Sequence, residues 1–175
     1  MSNPLPRFFL VISILISDLT YGEVVSVGAS GFHIKIEAQV NVAPAVAYQQ
    51  FLRVQEWWNS AHTWFGDAGN LSLEPVAGGC FCEQQGAQSV QHMTVSFVVP
   101  DKKLVMLGGL GPMQQMGLTG ALSFTFVPIT GLKTNIVQEY RVSGYHPDGF
   151  AELAKIVDQV QTVQLQGLTA KLTKP

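Results

Sequence analysis

The sequence predicts an α+β fold: a curved antiparallel sheet of about six or seven strands, two short helices after the first strand, and a long C-terminal helix across the sheet, enclosing a cavity. Three observations carry this. His33 to Val42 alternates apolar and polar residues without a fault, the period of a half-buried strand. Between Leu71 and Ser143 the chain offers β-type runs separated by turns, with no helix-length segment that would permit parallel crossovers. Asp148 to Lys171 then repeats apolar residues at helical spacing.

In chain order, Ile34, Ile36, Ala38, Val40 and Val42 make the inner face of the first strand, with His33, Lys35 and Glu37 on the other. Pro44 suits the first turn of a helix, and Tyr48, Phe51 and Leu52 form its apolar stripe. A second short helix around Glu56 to Asn59 carries Trp57 and Trp58. Gly66, Gly69 and Asn70 break the chain before a strand at Leu71 to Val76, and Gly78-Gly79 turns it into Cys80 to Gln84. From Gln91, strict alternation puts Met93, Val95, Phe97 and Val99 on one face and His92, Thr94 and Ser96 on the other, with the solvent side or a strand edge as the expected setting of His92. Leu104 to Leu107 follows, then Leu122, Phe124 and Phe126 alternating with Ser123 and Thr125, then Thr134 to Ser143. In that last strand Thr134, Ile136, Gln138, Tyr140 and Val142 are the inner set. The final helix presents Leu153, Ile156, Val157, Val160, Val163, Leu168 and Leu172 as one broad stripe.

At 175 residues the chain has the length of one domain. With 47% hydrophobic and 13% charged residues it has the material for a core and is too poor in charge for a disordered chain. A net charge of -2 leaves no basic field for nucleic acid. Arg7, the apolar run Phe8 to Ile16 and small residues beyond it have the parts of a secretory leader, with cleavage expected after Gly22. Nine apolar residues fall short of the roughly 20 that span a bilayer. The expectation is therefore a signal peptide over residues 1–22, a single domain over 23–175, no stable membrane anchor after cleavage, and a periplasmic or secreted location.

Two cysteines stand as Cys80-Phe81-Cys82. Two steps of an extended strand would separate their Cα atoms by about 6.8 Å, the upper edge of disulfide geometry. Two packed thiols, a strained or redox-active bridge and part of a metal site all remain compatible with that spacing.

The opening strand with Val42-Ala43-Pro44-Ala45-Val46-Ala47-Tyr48, then Trp57-Trp58, then Leu73-Glu74-Pro75-Val76-Ala77-Gly78-Gly79-Cys80-Phe81-Cys82-Glu83, resembles the SRPBCC, or START-like, superfamily. The likeness is to its bacterial branch of polyketide cyclase/dehydrase-like and heat-shock ATPase activator-like proteins, and it runs from about Gly31 to Leu172. It implies the helix-grip fold, whose members bind lipids, sterols, polyketides or plant hormones, some with catalytic activity. A cytosolic chaperone activator or a cyclase of carrier-bound polyketides works in a compartment that an exported chain leaves.

A pocket of this kind needs apolar walls and a few polar handles. The candidate ligand-binding residues are Tyr48, Trp57, Trp58, Trp64, Phe97, Met113, Met116, Phe124, Gln138, Tyr140, Val157 and Val160. Gln138 and Tyr140 are the handles, with bonding to neighbouring strands as the plainer reading of each. Trp57, Trp58, His62, Trp64 and Phe65 form the densest aromatic cluster, placed by the resemblance at the cavity mouth. Gly108 to Gly117, with Met113 and Met116, reads as a flap; it lacks the Gly-Lys-Ser/Thr ending of a phosphate loop.

His62 is the candidate acid or base, since an imidazole exchanges protons near neutrality. Glu83, out of phase with the cysteines, is a lesser candidate. The resulting expectation is an exported, cofactor-free binding protein that holds a small hydrophobic or amphipathic ligand, lipid-like or aromatic, in the cavity between the sheet and the C-terminal helix, without a metal. The alternatives are a cyclase or dehydratase-like enzyme using His62 with Tyr140 or Glu83, and a protein-docking module built on the aromatic cluster.

Overall fold

Alternation along the chain becomes one eight-stranded antiparallel sheet in the computed structural model, which describes residues 20–130 and 132–173. Strands β1 (Tyr21–Gly28) and β2 (Gly31–Val40) form a hairpin, and helices α1 (Pro44–Leu52) and α2 (Val54–Trp57) carry the chain to the far edge. There β3 (Leu71–Leu73), β4 (Cys80–Gln85), β5 (Gln88–Val99), β6 (Lys103–Leu107), β7 (Thr119–Pro128) and β8 (Thr134–Ser143) return as a meander. The order across the sheet is β1-β2-β8-β7-β6-β5-β4-β3, and α3 (Ala151–Leu172) lies across it against β1 and β2. This is the helix-grip architecture, with eight strands where six or seven were expected.

The additional strand is β1, whose Val24 and Val27 pair with Ile34 and Phe32 of β2 in a run too irregular to read as alternation: Val25 is an extra residue between Val24 and Ser26. Of the expected leader, residues 1–19 lie outside the described residues. The expected cut after Gly22 falls two residues into β1.

On the inner face, β2 contributes Phe32, Ile34, Ile36, Ala38 and Val40, and β8 contributes Thr134, Ile136, Gln138, Tyr140 and Val142, all buried. Their register is continuous, Ile34 opposite Tyr140 and Ile36 opposite Gln138. Between this face and the helices, side chains meet directly. Phe51 of α1 sits 4.5 Å from Phe124, and Tyr48 meets Phe126 edge-on at 5.5 Å. Burying these rings removes a large apolar area from water, part of the dominant favourable term in folding.

Strict alternation fails in β5, and that failure shapes the β3–β5 end of the sheet. Phe81 faces Met93 but Cys82 faces Gln91, so His92 is an extra residue. Val95 faces Met106 but Phe97 faces Val105, so Ser96 is another. A bulge of this kind bends the strand and shifts the side-chain phase by one. His92, expected on the solvent side, is turned inward and buried, while Phe97, expected as a pocket wall, is turned outward and 48% exposed.

In α3 the buried face is Ala154, Val157, Gln161, Gln164, Leu165 and Leu168. Ile156, counted in the apolar stripe, is 57% exposed. The helix faces inward about the two glutamines because each has a hydrogen-bond partner there, Gln138 for Gln161 and the Asn59–His62 turn for Gln164. Close seating is set by Gly167, where a Cβ would collide with the Trp57 carbonyl oxygen. Alanine in a helix is ordinarily better than glycine by about 1 kcal/mol; here Gly167→Ala is expected to destabilise by about 1–3 kcal/mol through overpacking. Denaturant unfolding checks this, and a stabilised variant would show that α3 does not rest on Trp57.

Candidate functional site

Only Ala68 of the loop from Asn59 to Asn70 is buried, and polar groups from two sides hold the loop. From α3, the buried Gln164 accepts from the Asn59 backbone N–H at 2.8 Å and donates to His62 Nδ1 at 2.6 Å. The Trp58 indole donates to the His62 carbonyl at 3.0 Å, and Ser60 Oγ accepts from the Ala68 N–H at 3.0 Å. From β4, Glu83 supplies the other anchor. Its oxygens accept from the backbone N–H groups of Trp64 at 2.9 Å and Phe65 at 2.7 Å.

Glu83 is fully buried, and its third partner is His92 Nε2 at 3.2 Å. The bulge in β5 is what brings the imidazole to it. Burial holds His92 below its ordinary 6.5, against the opposing hydrogen bond and charge of Glu83. The neutral ring therefore donates from Nε2, which leaves Nδ1 as a bare, buried acceptor without a partner. The ring also packs on Phe81 at 5.1 Å, and Phe81 packs on Trp58 at 5.4 Å.

The flap leaves β6 at Leu107 and rejoins the sheet at Thr119, with a 3-10 turn at Gly111–Gln114. Tyr140, buried in β8, fastens its root: the phenol donates to the Gly108 carbonyl at 3.1 Å and accepts from the Leu110 N–H at 3.0 Å. Burial pushes the phenol up to about 12, so it keeps the proton that this double role needs. At the flap's tip Gln114 Nε2 donates to the carbonyls of Gln91 and His92 at 2.5 and 2.9 Å. Met113 is buried beneath the flap and Met116 is 45% exposed on it.

Between the loop, the start of β5 and the flap lies a cleft of about 480 Å³, lined by Trp64, Phe65, Ser89, Val90, Gln91, Gln114 and Gln115. Of the expected ligand-binding residues, Trp64 lines it and is 40% exposed. Tyr48, Trp57, Trp58, Phe124 and Val157 are buried in the core, and Val160 is half-buried on α3. Trp57 donates its indole N–H to the Phe51 carbonyl at 2.9 Å. Gln138 donates to Gln161 at 2.5 Å, and its own Oε1 has no partner. His62 is exposed, tied to Gln164, and is not among the residues lining the cleft.

The pairing of Glu83 with His92 is the feature sequence reasoning missed. Its signal was present in the out-of-phase position of Glu83, but nothing in the residues marked His92 as a bulge.

Cys80 and Cys82 are joined by a disulfide, with Cα atoms 5.4 Å apart. The strand is drawn in at this point relative to full extension, beside the bulge at His92. Among the described residues no group of three His, Cys, Asp or Glu side chains is placed to hold a metal ion, and no helix is long and apolar enough to cross a membrane.

The fold is shared with solved structures of low sequence identity. The CalU16 protein of Micromonospora echinospora superposes with a TM-score of 0.59 at 12% identity, over 90% of this chain and 84% of that one. The Aha1 dimer of Colwellia psychrerythraea gives 0.58 at 17% identity, over 80% and 95%. Protein MLL2253 of Mesorhizobium loti gives 0.58 at 17% identity, over 82% and 99%. No protein-family model and no curated protein matches the sequence.

The buried imidazole makes stability depend on pH. Because the folded state holds His92 below 6.5, its contribution is complete above about pH 6.5 and is lost as pH falls through the folded value. Thermal melts are expected to show a steeper loss between pH 6.5 and 5 for the native chain than for His92→Gln, which keeps a donor for Glu83 and does not titrate. Superimposable pH profiles would contradict the burial of a neutral imidazole.

Proposed function

We propose that the protein is an exported binding protein for one small hydrophobic or amphipathic molecule, lipid-like or aromatic, taken up at the Trp64–Phe65 cleft. The observation that carries the reading is the cleft itself. Its volume lies within the roughly 300–1,000 Å³ of small-molecule sites, and its lining pairs two aromatic side chains with three glutamine amides. Rings desolvate and stack on a ligand, while amides both donate and accept and so fix its polar end. Glu83 holds the aromatic wall from inside and Tyr140 holds the flap root, so the site's walls are set before a ligand arrives. The unpartnered Gln138 Oε1, in the apolar interior, offers a further polar contact if the ligand reaches between the sheet and α3.

A second reading, an acid–base enzyme of the cyclase or dehydratase kind, is favoured by the Glu83–His92 pair. A carboxyl group that orients an imidazole, and leaves its other nitrogen free to take a proton, is the arrangement of a general base. This moves the role from His62 to His92.

Native mass spectrometry of protein recovered from its own compartment is expected to show an apolar passenger near one per chain. Trp64→Ala should weaken binding of a fluorescent long-chain fatty acid about tenfold, the loss of roughly 1.4 kcal/mol of contact. Equal affinity in Trp64→Ala and the native chain would remove the cleft as the site. Turnover that disappears in His92→Gln while binding persists would establish the enzyme instead.

A further inference from the structure

Two features separate the Cys80–Cys82 disulfide from a structural staple. It spans a single residue, Phe81, within a strand already paired on both sides, to β3 through Ser72 and to β5 through Gln91 and Thr94. A disulfide stabilises chiefly by limiting the unfolded chain, and the effect grows with the loop it closes; this one closes almost none and joins no two elements. Phe81 and Glu83 point inward and are buried, so the sulfurs between and beside them lie on the outer face, where both cysteines are half-buried. An external thiolate can reach them there.

What the bond does hold is the local course of β4. It keeps the two Cα atoms 5.4 Å apart, where an extended strand would set about 6.8 Å. The contracted step contains Phe81, which packs on Trp58 and His92, and it leads directly into Glu83, which anchors Trp64 and Phe65. Lengthening it moves the two inward side chains that organise the cleft.

We propose that Cys80–Cys82 is a thiol–disulfide exchange site, reduced by an external dithiol, and that its state sets how firmly Glu83 holds the Trp64–Phe65 loop. In the reduction, one thiolate of the dithiol attacks a sulfur of the pair. The S–S bond breaks, a mixed disulfide forms, and the released cysteine thiolate takes up a proton. The second thiolate of the dithiol then attacks its own mixed-disulfide sulfur, leaving the partner oxidised and the second cysteine as a thiol once protonated. Two electrons and two protons pass to this chain. The inference does not rest on the binding reading above.

The test is a native titration of the full chain in mixtures of reduced and oxidised dithiothreitol, trapped with N-ethylmaleimide and read by intact mass, with tryptophan fluorescence recorded in parallel. The expected result is a reversible gain of two labels without denaturant, accompanied by a fluorescence shift. Cys80→Ser/Cys82→Ser is expected to show the reduced-state fluorescence at every ratio. Labelling that requires denaturant would overturn the exchange role, and reversible reduction with unchanged fluorescence would overturn the coupling to the loop. Both readouts come from the native chain, so they stand even if the double variant does not fold, and neither involves a ligand.

Discussion

A carboxyl group with no exposed surface, that of Glu83, organises the cleft end of this molecule. Glu83 must find hydrogen-bond partners inside the protein, because burying it without them costs several kcal/mol. It finds three: the backbone N–H groups of Trp64 and Phe65, and His92 Nε2. Two partners lie on the loop and the third on β5, so satisfying one side chain of β4 fixes the loop against β4 and β5 together. The bulge that admits His92 is the geometric condition for the third bond, and without it the imidazole would face outward.

The rest of the site is arranged around that anchor by similar devices. Polar side chains recur where irregular backbone must be held: the buried Gln164 under the loop's start, the buried Tyr140 under the flap's root, and the exposed Gln114 across to the carbonyls of β5. Irregular segments carry backbone groups that no ladder satisfies, and these side chains satisfy them at defined points. The cleft is thus walled by loops but positioned by strands and by α3. That combination lets the composition of the cleft vary while the sheet beneath it stays constant, and the fold itself is shared at 12–17% identity with CalU16, Aha1 and MLL2253.

The architecture was legible where side-chain period is strict. β2 and β8 alternate without interruption and pair in continuous register, so their inner faces could be read directly, as could the α3 region and the meander. Two kinds of residue escaped. His92 and Phe97 were misplaced because a bulge changes phase without changing composition, and nothing in Gln91 to Val99 marks where the extra residues sit. Gln161 and Gln164 were missed because a hydrophobic stripe counts only apolar residues, whereas these amides are buried by virtue of distant partners, Gln138 on one side and Asn59 with His62 on the other. The aromatic cluster and the flap were recognised as features, but their division into core (Trp57, Trp58, Met113) and cleft (Trp64, Gln114) depends on contacts far apart in sequence.

The central claim is that Glu83 holds the Trp64–Phe65 wall, and amide hydrogen exchange tests it most directly. In Glu83→Gln one accepting oxygen is replaced by an NH₂ group facing donors. The account predicts that the Trp64 and Phe65 amides exchange at least about tenfold faster, a loss of roughly 1.4 kcal/mol of local protection, while amides between β2 and β8 keep their native rates. Unchanged protection at Trp64 and Phe65 would contradict it and leave the loop held by Gln164, Trp58 and Ser60.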